Sequence, residues 1–359
     1  MPRNISSLIA QSSGSRYLKV RRPELYGKLV EPQESVTLPG WQMEHETSAG
    51  VRKRPLAVDL KQRRLTMDTS FTNTVEELAS ANVDDTDWAS LNRQQQIRSM
   101  ELEGFVVIPD LLTQDVISSL HDEYSRLPVT ATDYSKHKKG CSDIWKMDCP
   151  VANNLIAHPP IVDFLTDLFG DDLICTSIGL GTSDPGHPGI AIHTDAQPYG
   201  SKIFGVQSSS PILARVLYYL DDLTPECSPF KVIPRSHLSM HRDGSPYGRL
   251  LSHPDEVMVT CKAGSAAIIN QKVFHGNYPN HSDSPRRMLA IAYRPAWAGP
   301  IGDVEDRDPE EVAKLPEHIK PFFRSLNTRD IEFDLPNRPD NMARDAAGIS
   351  PRRWGSRSS

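Results

Sequence analysis

Between residues 173 and 293 the apolar residues are broken into short runs, and this constrains the fold more than any other feature. The runs at 173–180, 190–193, 212–220, 230–233, 257–261, 265–270 and 286–293 are separated by Gly, Pro, Asn and Asp. Short strands spaced by such turn residues are the pattern of a β-sandwich or barrel. Helical patterns precede them. Residues 88–103 carry Leu91, Ile97 and Leu102 and end at Gly104. Thr113 can cap a stripe of Val116, Ile117, Leu120, Tyr124 and Leu127, and Pro160 can open a helix closed by Gly170. Residues 105–109 read as a strand stopped by proline. The expectation is a mainly β fold with flanking α-helices.

Inside the β region, His193 and Asp195 are separated by one residue at the end of an apolar run. On an extended strand, side chains two apart leave on the same side. An imidazole and a carboxylate then emerge together, and a divalent first-row metal can take a nitrogen from the first and an oxygen from the second. His275, which follows the apolar run at 268–270, is the best third ligand. Two His and one carboxylate leave positions open, which suits iron(II) and dioxygen chemistry. A His-x-Asp pair alone is weak, because a solvated loop pair looks the same. Arg286, eleven residues after His275, strengthens the pattern, since a buried guanidinium can clasp a carboxylate with two donors. Arg287 is its rival, but strand alternation sends the two to opposite faces.

Between these segments lie Leu220-Asp-Asp-Leu-Thr-Pro and Pro234-Arg-Ser-His. Together with the His-x-Asp, the distal His275-Gly and Arg286, they make residues 104–297 resemble the phytanoyl-CoA dioxygenase family of iron(II)/2-oxoglutarate oxygenases. The resemblance implies a double-stranded β-helix (jelly-roll, cupin-like) core, with His193, Asp195 and His275 as metal ligands. It also implies Arg286 as the anchor of 2-oxoglutarate, dioxygen as co-substrate, and succinate and CO2 as co-products. Related halogenases carry Ala or Gly at the Asp position, so Asp195 favours oxygenation. Arg235 stands where the family has Gly, a place that usually needs a permissive backbone. His237 reads as structural rather than as a fourth ligand. Trp145, Lys146, Gln197, Asn277, Tyr293 and Trp297 are candidates to line the pocket, with ordinary packing the alternative for each. Cys175 and Ser177 are candidates to face the co-substrate. Arg215, in an otherwise apolar strand, can pair with an acid, bind a substrate anion or sit on an outer face, the last being the leading expectation.

Length and charge bound the rest. A chain of 359 residues allows one large domain or two small ones. The expected division is an irregular extension over 1–92, the oxygenase domain over 93–300, and a C-terminal helix and disordered tail over 301–359. A short helix is expected over 75–81, and another from Asp308 towards Phe322, kinked at Pro316 or Pro321. A net charge of −6 gives no global basic field, so nucleic acid is not an expected partner. The expected partner is a small-molecule substrate, and oligomeric state is not legible. Five scattered cysteines form no disulfide framework or zinc motif. No apolar run approaches the ~18 residues of a membrane span. A cytoplasmic location is expected, although the basic, acid-free first 23 residues are also compatible with an organelle transit peptide. Two other functions share these features: a cupin-type metal oxygenase without 2-oxoglutarate, and an inactive jelly-roll binding protein.

Overall fold

The computed structural model describes Leu78 and residues 80–195, 212–238, 252–300 and 302–329. The basic leader, Gln197, the C-terminal tail and most of the helix expected over 75–81 lie outside the described residues.

Helix α1 (Arg93–Leu102) starts later than its apolar pattern suggests, because Asn92 caps it: its side chain accepts from Gln95 N while the Gln95 side chain accepts from Asn92 N. Residues Trp88–Ser90 form a separate single turn. Gly104 ends the segment with φ +86°, and a Cβ there would stand 2.6 Å from the His237 ring. Strand β1 (Phe105–Ile108) follows, then α2 (Gln114–Arg126), capped by Thr113 as its sequence indicates. Glu123 of α2 is buried; its carboxylate accepts from Val151 N at 2.7 Å and Ala152 N at 3.0 Å. Those amides open the short helix α3 (Pro150–Asn154), whose free N–H groups need an acceptor. Helix α4 (Pro159–Phe169) runs from its prolines to Gly170.

The remaining strands are β2 (Thr130–Thr132), β3 (Ser135–Ser142), β4 (Leu173–Ser183), β5 (Ile190–His193), β6 (Ala214–Tyr219), β7 (Phe230–Val232), β8 (Val257–Val259), β9 (Ala266–Asn270), β10 (His275–Asn277) and β11 (Arg286–Pro295). They form a seven-stranded sheet, β1-β9-β6-β11-β4-β3-β2, and a four-stranded sheet, β5-β10-β7-β8. Every pairing between these strands is antiparallel. The pattern of short strands predicts a sandwich or barrel, and the two antiparallel sheets are the jelly-roll that the family resemblance implies.

Both faces of the large sheet are buried at its central strands β9, β6 and β11, which explains why these read as nearly continuous apolar runs. Val216, Tyr218, Ala266, Ile268, Leu289 and Ile291 pack on the helices. Their alternates Leu217, Tyr219, Ala267 and Ile269 face Phe230, Val232 and Val259 of the small sheet. Alternation therefore assigns Arg286 to the inner face with Met288 and Ala290, and Arg287 to the other. It also assigns Arg215 to the inner face with Leu217 and Tyr219, correcting the expected outer placement.

Other differences have local causes. The hairpin of β2 and β3 is not legible as strand, because Lys136, Lys138 and Lys139 break any apolar alternation. His275 does not extend the strand before it: β9 ends at Asn270, and the chain crosses to the small sheet, where His275 opens β10. The expected C-terminal helix is broken rather than kinked. Its parts are α5 (Pro309–Ala313), capped by Asp308, and a turn at Lys320–Phe323, with Pro316 and Pro321 unable to donate to a continuous helix. This segment is tied to the barrel: Arg307 donates to Cys175 O, Arg294 donates to Leu326 O, and Phe323 packs on Trp145. Just before the core, Val83 bridges to Met258 and Trp88 packs on Phe105. No helix among the described residues is long and apolar enough to cross a membrane.

Candidate metal and anion site

His193 ends β5 and lies directly opposite His275 on β10, their ring centroids 4.4 Å apart. His193 Nδ1 is 2.8 Å from Ala191 O, and His275 Nδ1 is 3.0 Å from Val273 O. A carbonyl only accepts, so both rings carry their proton on Nδ1 and leave Nε2 as a lone-pair donor. Asp195 lies past the strand in a bend, its N–H donating to Gln271 O at 2.8 Å. Its Oδ1 is 3.9 Å from His193 Nε2 and its Oδ2 is 3.8 Å from His275 Nε2. One donor atom from each of the three residues lies within 4.8 Å of the others. Burial, then His193, pushes the His275 imidazole down to about 4, which keeps its Nε2 free at neutral pH. Arg215 stands beside them, its Nε 3.0 Å from Asp195 Oδ2.

The second cluster lies in one row across three strands. Ser183 on β4 is opposite Arg286 on β11 and Lys138 on β3, so the three side chains share a face. Arg286 is fully buried, and its Nη2 donates to Ser183 Oγ at 3.0 Å and Ser228 Oγ at 3.3 Å. Among the described residues its Nε and Nη1 have no hydrogen-bond partner, nor has Lys138 Nζ. Burial, then Arg286, pulls Lys138 down to about 7. Burial, Lys138 and Arg286 together push His187, whose Nε2 meets Tyr134 OH at 3.2 Å, down to about 3. Asp184, the nearby acid, is paired with Lys139 at 2.7 Å. A buried guanidinium and a half-buried lysine whose Nζ is inaccessible, neither with a paired carboxylate among the described residues, make a site for an anion. Arg287, by contrast, clasps Asp221 through Nε at 2.9 Å and Nη2 at 2.6 Å.

The other candidates divide by face. Trp145, Tyr293 and Cys175 belong to the helix-side core, the Tyr293 hydroxyl donating to Ile156 O, so they do not line the barrel interior. Lys146 and Trp297 are exposed. Ser177 shares the parity of Ser183, and Asn277 that of His275. His237 is buried with Nε2 2.8 Å from Glu101 O, a structural role. Arg235 adopts the left-handed φ of +67° and is steadied by a double contact with Glu103. The turn survives without glycine. Sequence reasoning missed Lys138; its signal is a lysine two residues from a glycine in a strand-length polar run, too faint to find without the register.

Two imidazoles and a carboxylate brought together on one sheet of a jelly-roll, with a buried guanidinium on the other sheet, are a donor set that suits a mononuclear metal. The chain belongs to the phytanoyl-CoA dioxygenase family, whose model matches residues 100–288, more than half its length. It is thereby an iron(II)- and 2-oxoglutarate-dependent dioxygenase. Among similar proteins is dioxygenase trt7 of Aspergillus terreus, 22% identical over 232 residues, which are 59% of this chain and 76% of that protein. Similar solved structures include HygX of Streptomyces hygroscopicus with nickel and 2-oxoglutarate bound, 18% identical, covering 57% of this chain and 88% of that one, with a TM-score of 0.48. AviO1 of Streptomyces viridochromogenes is 19% identical, covering 59% and 99%, with a TM-score of 0.48.

Proposed function

We propose that this dioxygenase oxidises a small-molecule metabolite, by hydroxylation or a related two-electron oxidation, with succinate and CO2 as co-products. In this reading His193, Asp195 and His275 hold iron(II) through two Nε2 atoms and a carboxylate oxygen. The donor set suits that ion, and the tautomers fixed by Ala191 and Val273 present both lone pairs without rearrangement. Arg286 takes the distal carboxylate of 2-oxoglutarate, with Ser183 and Ser228 orienting its fork and Lys138 adding a second positive charge. The observation that carries this reading is the fully buried Arg286, two of whose nitrogens have no partner among the described residues. Leaving such a charge uncompensated costs several kcal/mol (roughly 3–5), and a dianionic oxo acid removes that cost when it binds. Bound together, iron and 2-oxoglutarate supply dioxygen activation, the oxo acid being split as the substrate is oxidised.

The residues supply placement and exclusion of water. Phe230 on β7 has its ring centroid 6.1 Å from that of His275 and forms part of the apolar packing between the sheets. The test is a metabolite-library screen for succinate release above the uncoupled background, with iron(II) and 2-oxoglutarate present. A metabolite that stimulates succinate release and is itself oxidised supports the reading. Oxidation without succinate would assign the chain to 2-oxoglutarate-independent cupin chemistry, and no binding of either cofactor would make the barrel a scaffold.

A further inference from the structure

Arg215 interrupts an otherwise apolar strand in the middle of the large sheet, its Cα paired with Ile269 on one side and Ala292 on the other. A cation there does not help a metal bind, because like charges repel. Its contact with Asp195 has an unusual form. Arg287 takes both oxygens of Asp221 in a closed clasp. Arg215 makes no such clasp: its Nε stands 3.0 Å from Asp195 Oδ2, and the two atoms are not aligned as a hydrogen bond. Meanwhile both oxygens of Asp195 face the cluster: Oδ1 towards His193 Nε2 and Oδ2 towards His275 Nε2. A carboxylate so turned is free to chelate a metal through both oxygens. Chelation would fill one coordination position more, and the oxo acid and dioxygen together require that position.

We infer that Arg215 is a positioning residue that holds Asp195 Oδ2, so that the carboxylate binds the metal through Oδ1 alone and the position needed by 2-oxoglutarate stays open. This rests on the reading of His193, Asp195 and His275 as the metal ligands. The role is carried through Asp195, and the strand fixes it: Arg215 shares its inner face with Leu217 and Tyr219, both buried, so its backbone has little freedom to withdraw.

The experiment uses cobalt(II) in place of iron(II) in the full-length protein, since cobalt absorption reports coordination number. Wild type, Arg215→Gln, Arg215→Lys and Asp195→Ala are compared for cobalt affinity, for the cobalt spectrum without co-substrate, and for 2-oxoglutarate affinity. Arg215→Gln should keep cobalt affinity within about threefold of wild type, because it loses a repelling charge and frees a second oxygen to bind. Its cobalt spectrum should shift towards higher coordination before any oxo acid is added. Its 2-oxoglutarate affinity should fall by about tenfold or more, the usual size of a lost contact to a metal ligand. Arg215→Lys, which can still hold one oxygen, should recover the wild-type spectrum and most of that affinity. An unchanged spectrum with weakened oxo-acid binding would mean that Arg215 touches the oxo acid directly, and would overturn the inference. No change in either quantity would overturn it too. If Arg215→Gln does not fold, Arg215→Lys decides alone: a shifted spectrum despite the retained charge overturns the assignment. Asp195→Ala separates this from the parent reading. If it binds cobalt as wild type does, the metal site itself is misplaced; if it loses cobalt, only Arg215 is being tested.

Discussion

His193 and His275 stand on the short four-stranded sheet, and the His193 side chain is 35% exposed. Arg286 and Lys138 stand in one row of the seven-stranded sheet, where Arg286 has no exposed surface at all. The first cluster is nearly neutral and reaches solvent through His193, with its tautomers fixed by local carbonyls. The second is buried and positive, and among the described residues its guanidinium lacks a paired carboxylate. The first is arranged to accept a cation from solvent, the second to accept an anion into the barrel. Under the proposed function, one fold separates metal and co-substrate recognition into two electrostatic environments, and substitutions should act on them separately.

The largest effect should come from the open cluster. His193→Ala, Asp195→Ala or His275→Ala should each abolish stoichiometric iron(II) binding and turnover with it, as read by anaerobic metal titration. Wild-type turnover with iron dependence intact in any of them would remove the metal half of the comparison. Next is Arg286→Ala, which should leave iron affinity near wild type while raising the 2-oxoglutarate requirement more than ~10-fold, from the ~2–5 kcal/mol typical of an unpaired buried charge. Arg286→Lys should recover only part, since a point charge replaces the fork. Arg287→Ala should change the requirement little, because its fork is occupied by Asp221. The measurement is titration of the iron-to-oxoglutarate charge-transfer absorbance.

A third effect sharpens the anion half. Lys138 is pulled down to about 7 in the ligand-free protein, and an arriving dianion favours its charged form. Binding therefore takes up a proton: affinity is full below that value and declines as pH rises through and above it. Lys138→Met should weaken 2-oxoglutarate binding at pH 6 and flatten the dependence between pH ~6 and ~8. A wild-type slope in that variant would assign the titration elsewhere. The smallest effect is expected at Arg235→Gly. The glycine relaxes a left-handed backbone but loses the exposed contact with Glu103. The two changes oppose each other, so the melting temperature and both binding affinities should stay close to wild type.

Much of this was legible in the sequence. The short runs give the strands, and Thr113, Pro160 and Gly170 bound helices where their side chains and backbone freedom require. His193, Asp195, His275 and Arg286 are found by type and spacing, and the structure brings the first three together and buries the fourth. The failures share a cause. Arg215 was assigned the wrong face, and Trp145, Tyr293 and Cys175 were candidates for a pocket they do not line. In a sheet buried on both sides, apolar residues no longer mark which parity faces inward.

By itself, then, the sequence determined the strand and helix inventory of the core and the chemical types at the site, because backbone preference and donor chemistry are local properties. Only the tertiary structure decided which face is the interior. It moved His275 from the end of one strand to the start of another in the opposite sheet. It also placed Lys138 beside Arg286 through Ser183, residues far apart in the chain with no apolar pattern to announce the hairpin. Register and burial arise between strands, and strand pairing across long loops sets them; no window of sequence contains that information.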